Sequence, residues 1–156
     1  MIYIAADHRG FALKEKIKTW LTEWGMEFND MGANAYDEQD DYPDFIHAAA
    51  QKVSENPKEN KAIVLGGSGQ GEAMAANRHK GVRAMVYYGG PEDLIVTARN
   101  HNDCNVLSLG AAPGISKETA QPMSDEEAQT AVKLFLETPF SNDERHVRRI
   151  AKIDTQ

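Results

Sequence analysis

Short apolar runs alternate along the chain with stretches whose apolar residues recur every three or four positions. The first kind of pattern predicts buried strands and the second predicts helices with one core-facing side. Ile2 to Ala6 reads as a first strand, Met26 to Met31 as a weak second one, and Ala62 to Leu65 as a third. Val82 to Tyr87 and Asn105 to Leu109 read as the fourth and fifth. Between them, Phe11 to Trp24 places Phe11, Leu13, Ile17, Trp20, Leu21 and Trp24 near one helical face, and Gly25 supplies a stop. Pro43 opens a helix reaching about Ser54, another starts near Glu72, and Pro91 to Asn100 forms a fourth. Asp125 to Leu136, capped by Ser124, is the fifth helix, and Ser141 to Ile153 forms a C-terminal helix in the tail 141–156.

Strict alternation of strand and helix predicts an α/β fold, a Rossmann-like three-layer α/β/α sandwich on a five-stranded parallel sheet. Its 156 residues fit one domain, with a single long connection from Gly110 to Met123. In such folds ligands sit beyond the carboxyl ends of the strands. The residues that follow each strand therefore carry the functional signal.

After the third strand comes Gly66-Gly-Ser-Gly-Gln-Gly-Glu72. Glycines at 66, 67, 69 and 71 let backbone N–H groups face a ligand, and the helix start behind them adds a positive dipole end. Glu72 is the unexpected member. A carboxylate beside an anion cradle suits a base whose product oxyanion the cradle would hold. The spacing matches neither G-x-G-x-x-G nor a Walker loop, and Ser68 lacks the G-x-S-x-G setting of a serine hydrolase. Gly66 stands where a phosphoacceptor domain needs an aspartate, and an FMN protein of the flavodoxin type carries its phosphate loop after the first strand.

Asp7-His8 follows the first strand, where polar side chains reach the crevice, although Asp7 also suits a helix cap. His101-Asn102-Asp103 ends the fourth helix and offers a proton shuttle and hydrogen-bond donors, or a simple complement to the helix dipole. Arg145 and Arg149 stand one helical turn apart and together suit a phosphate clamp. His47 and His79 have no motif around them and read as surface or structural residues.

Seventeen basic against 24 acidic residues give a net charge of −7, which argues against nucleic acid as a partner. A single cysteine, Cys104, excludes an intrachain disulfide framework and a cysteine zinc cluster. H-E-x-x-H is absent, and no spacing suggests a metal. No apolar run approaches a membrane span and no leader pattern precedes the first strand, so the cytoplasm is the expected location.

Taken together, the stretches resemble the type B ribose-5-phosphate isomerases, the family that also contains galactose-6-phosphate isomerase subunits. Ala6-Asp-His-Arg-Gly-Phe-Ala-Leu-Lys14, Asp40-Asp-Tyr-Pro-Asp-Phe45, Gly66 to Glu72, Ala75-Ala-Asn77, Gly81-Val-Arg-Ala84, Arg99-Asn-His-Asn-Asp103, Asn105 to Gly110 and Arg145-His-Val-Arg-Arg149 carry it, in order along the chain. The resemblance implies a cofactor-free, metal-free aldose–ketose isomerase, a homodimer or tetramer whose active sites draw on two subunits. It implies interconversion of ribose 5-phosphate and ribulose 5-phosphate through a cis-enediolate. One branch of the family has a cysteine base where this chain has Gly66; the other has a glutamate at the position of Glu72, which this chain resembles.

The roles implied are then Glu72 as base, His101 from the neighbouring subunit opening the sugar ring, and Ser68, Asn102 and the N–H groups from Gly67 through Gly69 to Gly71 holding the oxyanion. Asp7 and Tyr42 would contact the sugar; His8, Arg145 and Arg149 would hold the phosphate, with His101 and Arg149 coming from different chains. One departure concerns substrate. Ala112 stands where the family usually has an arginine, and the long loop after Gly110 offers Lys117 in its place. Allose 6-phosphate and galactose 6-phosphate therefore stay open as substrates, as does a non-catalytic sugar-phosphate binding module.

Overall fold

The computed structural model describes residues 1–112 and 122–155. Five parallel strands form one sheet: β1 (Ile2–Ala6), β2 (Phe28–Asp30), β3 (Lys61–Gly66), β4 (Ala84–Tyr87) and β5 (Val106–Gly110), in the spatial order β2-β1-β3-β5-β4. The helices are α1 (Phe11–Glu23), α2 (Tyr42–Glu55), α3 (Gln70–Ala76), α4 (Asp93–Asn102), α5 (Asp125–Glu137) and α6 (Glu144–Ile153).

Alternation along the strands explains the layers. Ile63 and Leu65 of β3 face one side with Ile4, Leu107 and Leu109, and pack on Leu13, Ile17 and Leu21 of α1, Ile95 of α4 and Phe135 of α5. Ala62 and Val64 face the other side and pack on Ile46, Ala49 and Val53 of α2 and Ala75 and Ala76 of α3. The small alanines at Ala5, Ala62, Ala49 and Ala50 let α2 approach its side of the sheet closely.

Local chemistry moves several element boundaries from those read in the sequence. α3 starts at Gln70, two residues before Glu72, and its cap Gly69 takes a left-handed conformation (φ +77°) that glycine adopts at little cost. β4 begins at Ala84 because the Arg83 N–H is bound by the Asn105 side chain at 2.8 Å. α4 runs on to Asn102, where Asp103 turns left-handed at φ 45°. α6 starts only at Glu144, since Ser141 Oγ turns inward to His146 and accepts from the Asp143 N–H. The Ser124 cap is present as a full capping box with Glu127.

Lys14 is fully buried between α1 and β2. Its Nζ donates to both carboxylate oxygens of Asp30 at 2.7 Å and to the Ala33 carbonyl at 2.8 Å. Burial opposes the charge on Asp30, but Lys14 and Lys18 outweigh it and hold the carboxyl below its ordinary value.

Candidate active site

The glycine loop leaves the carboxyl end of β3 and is held down from below. Ser108 Oγ of β5 donates to the Gly69 carbonyl at 2.6 Å, and the Ala111 and Ala112 N–H groups donate to Gly66 and Gly67 at 2.9 and 3.0 Å. Side chains lie directly on two of the glycines. A Cβ on Gly66 would fall 1.7 Å from Glu72 Oε1, and one on Gly71 would fall 2.8 Å from the Tyr42 hydroxyl and ring. The Glu72 carboxylate therefore lies directly on the bare backbone of Gly66, and the Tyr42 ring covers Gly71. Ser68, at the exposed tip, accepts from the Gln70 N–H at 3.3 Å.

Glu72 is buried, with 4 % of its surface exposed. Burial raises its pKa above the ordinary value, Asp7 nearby pushes it the same way, and Arg9 pulls it back. Asp7 is also buried and likewise raised, chiefly by burial. One Asp7 oxygen accepts from the Arg9 and Gly10 N–H groups at 2.9 and 3.0 Å, so Asp7 closes the turn before α1 and still stands at the crevice. His8 is fixed by Asp40, whose Oδ1 meets His8 Nδ1 at 2.6 Å and the His8 N–H at 3.1 Å. Asp40 Oδ2 is buried without a partner among the described residues. Ligand atoms of Asp7, His8 and Asp40 lie within 4.8 Å of one another, and the bond between His8 Nδ1 and Asp40 Oδ1 takes up one atom of each.

Asp7, His8, Tyr42, Gly67, Ser68, Gly69, Gly71 and Glu72 thus share the carboxyl end of the sheet. The other candidates do not. A helix following a parallel strand runs back along it, so the end of α4 returns to the amino end of the sheet. The bonds show this directly. The Asn102 carbonyl accepts from Arg83 Nε at 2.9 Å, just ahead of β4, and Asn105 joins Arg83 and the Ala62 N–H at the starts of β4 and β3. A strand as long as β3 spans about 20 Å, so His101 and Asn102 cannot reach Glu72 of their own chain.

The arginines travel with His101. Its ring lies 4.4 Å from that of His146 on α6, the Ser141 N–H donates to the Asn100 carbonyl at 3.1 Å, and Asp154 after α6 pairs with Arg83 at 3.2 Å. Arg145 and Arg149 are exposed, and Arg145 has only a loose 3.7 Å approach to Asp143. This corrects one expectation. His101 and Arg149 lie on neighbouring helices of one chain and form one unit, because α6 folds onto α4, a long-range contact that residue spacing does not carry.

Two further side chains join the site without a sequence motif of their own. Asp40 is one; its only sequence signal is an acid just ahead of the helix that carries Tyr42. Arg9, beside Asp7-His8, lies over the backbone of Gly67, where a Cβ would come within 2.8 Å of its guanidinium. His47 and His79 pair with each other at 2.9 Å on the surface. Cys104 is buried and its thiol is pushed up to about 11, which makes it inert. Lys117 lies outside the described residues.

The family model described as Ribose/Galactose Isomerase matches residues 2–153. The chain belongs to this family. Within the ribose/galactose isomerases, a relative called ribose-5-phosphate isomerase B from Mycobacterium tuberculosis is 39 % identical over 149 residues, 96 % of this chain and 85 % of that one. Among solved structures, ribose-5-phosphate isomerase B from Mycoplasma genitalium with bound ribulose-5-phosphate superposes with a TM-score of 0.86 at 37 % identity, covering 98 % of this chain and 93 % of that one. The enzyme of the same name from Thermotoga maritima gives 0.83 at 39 % identity, covering 99 % and 97 %. The α/β sheet with helices on both faces is therefore the fold of this family.

Proposed function

We propose that the chain is an aldose–ketose isomerase that interconverts ribose 5-phosphate and ribulose 5-phosphate, with Glu72 as the base. The observation that carries this reading is the buried carboxylate of Glu72 packed on the bare backbone of Gly66, at the mouth of a loop built to face an anion. A phosphate-binding module has no use for an acid there; proton abstraction beside a carbonyl does. The solved relative with ribulose-5-phosphate bound supports the substrate.

In this reading Glu72 takes the proton from C2 of the open-chain aldose and returns it to C1, while the hydroxyl proton passes from O2 to O1. The cis-enediolate between these steps carries its charge into the loop of Gly67, Ser68, Gly69 and Gly71, joined by Asn102. Asp7 and Tyr42 contact the sugar, and His8 turns toward the phosphate under the hold of Asp40. No protein-bound cofactor or metal enters the chemistry.

The working site takes two chains. His101, Asn102, Arg145 and Arg149 occupy the end of the molecule remote from Glu72, so a second copy must bring them to it. The exposed apolar residues Met74 on α3, Tyr88 after β4 and Leu94 on α4 lie where β4 forms an open sheet edge, and suit burial against that copy. No helix among the described residues is long and apolar enough to cross a membrane, which agrees with a small-molecule enzyme of the cytoplasm. A coupled assay across ribose 5-phosphate, allose 6-phosphate and galactose 6-phosphate tests the reading. Preferred turnover of ribose 5-phosphate is expected; preferred turnover of a hexose phosphate would move the substrate, and inactivity on all three would leave a binding module.

A further inference from the structure

Arg9 is an exposed residue whose side chain is nonetheless placed. It leaves the turn after β1, crosses the glycine loop and donates from Nη2 to the Ala112 carbonyl at 3.1 Å. On the way its guanidinium passes over Gly67, where a Cβ would come within 2.8 Å of Nε and Cζ and 3.0 Å of Nη1. A side chain at 67 would push the guanidinium off that path. Of its five N–H donors, the Ala112 bond uses one. The remaining donors stand at the mouth of the loop with no bond to the described residues. Lys14 and Lys18 are consumed by Asp30 and Glu15, Lys16 by Asp125, and Arg145 and Arg149 lie at the far end of the chain. Among the described residues, Arg9 is thus the cation that this half of the site supplies from its own chain.

We propose that Arg9 is a substrate-binding residue of this chain, fixed across Gly67 and Ala112 so that its free N–H groups hold an anionic oxygen of the sugar phosphate. This deepens the isomerase reading and rests on it. The bond to the Ala112 carbonyl orients the planar fork, and the fork presents paired donors to a phosphate or enediolate oxygen as a lysine would not. The position also carries a charge to the loop after β5, where the side chain of Ala112 offers none.

Binding separates this proposal from the isomerase reading. In a Glu72→Gln background, where substrate is not turned over, ribose 5-phosphate binding is measured by calorimetry with and without Arg9→Met. Methionine keeps the apolar stem and loses the charged head. Affinity is expected to fall roughly ten- to a hundred-fold, the scale of a lost hydrogen bond to a charged group. Melting temperatures should stay close, because the bond to Ala112 is exposed. Adding Ala112→Arg to Arg9→Met should recover most of the affinity, since a guanidinium would return to the same mouth from the opposite loop. Unchanged affinity in Arg9→Met overturns the proposal, and so does an affinity loss that tracks a large drop in melting temperature and is not recovered by Ala112→Arg. Failure of the wild-type enzyme to isomerise ribose 5-phosphate, by contrast, would count against the isomerase reading while the binding comparison still judged Arg9.

Discussion

Glu72 is an acid held where its charge is least welcome, and that tension gives a paired prediction. Its pKa in the folded chain is raised by burial and by Asp7. Above the raised value both folded and unfolded chains are ionised, and the folded one bears the desolvation of the anion. As pH falls through the raised value the folded chain takes up its proton first, and the penalty disappears. Glu72→Gln should therefore lower turnover by about two orders of magnitude or more and yet melt higher than wild type at neutral pH. The melting difference should close below the ordinary carboxylate range, as calorimetry across pH would show. For the wild type, the acid limb of kcat/KM should lie above the ordinary carboxylate value. An acid limb at or below it would remove Glu72 from the role of base. Glu72 was legible in the sequence because an acid behind four glycines is chemically odd. Arg9 and Asp40 were not, because each acts through a contact with a residue far along the chain, Ala112 for one and His8 for the other.

Elements decide whether these side chains meet. β3, the glycine loop and α3 form a unit in which Gly66 makes room for the Glu72 carboxylate and Gly69 supplies the turn. Any side chain at the position of Gly66 would compete with the Glu72 carboxylate for one volume. Gly66→Ala should displace the carboxylate and lower kcat by roughly ten- to a hundred-fold, on the scale of a positioned base, with little change in KM. Wild-type turnover in Gly66→Ala would show that the carboxylate does not work from this position. The α1–β2 junction behaves differently, because its charges hold the fold together. Asp30→Asn would leave the Lys14 ammonium buried with half its neutralisation gone, and should destabilise by about 3–5 kcal/mol in urea unfolding. The order and type of the elements were readable from hydrophobic period alone. Their ends were not, since caps such as Asp103 and the Asn105 clasp on Arg83 are set by tertiary bonds.

At the scale of the whole molecule the proposed site is split, with Glu72, the glycine loop, Asp7, His8 and Tyr42 at the carboxyl end of the sheet and His101, Asn102, Arg145 and Arg149 at the amino end. The motifs showed all of these residues, but only the path of α4 and α6 shows which of them share a half. The clamp itself predicts that Arg145→Ala or Arg149→Ala weakens substrate binding by roughly 1.5–3 kcal/mol, read as KM, with kcat nearly kept. Subunit mixing tests the split most directly. Glu72→Gln and His101→Asn proteins are each expected to be nearly inactive on ribose 5-phosphate. After exchange, a mixed dimer holds one site built from the intact Glu72 half and the intact His101 half. Statistical mixing should then restore about a quarter of wild-type activity. The same mixing of His101→Asn with Arg149→Ala should restore nothing beyond the residual activity of the Arg149→Ala protein, because both lesions fall in one half. Recovery in the first pair and none in the second is the predicted result; no recovery in the first pair, with subunit exchange demonstrated by mass spectrometry, would contradict a site assembled from two chains.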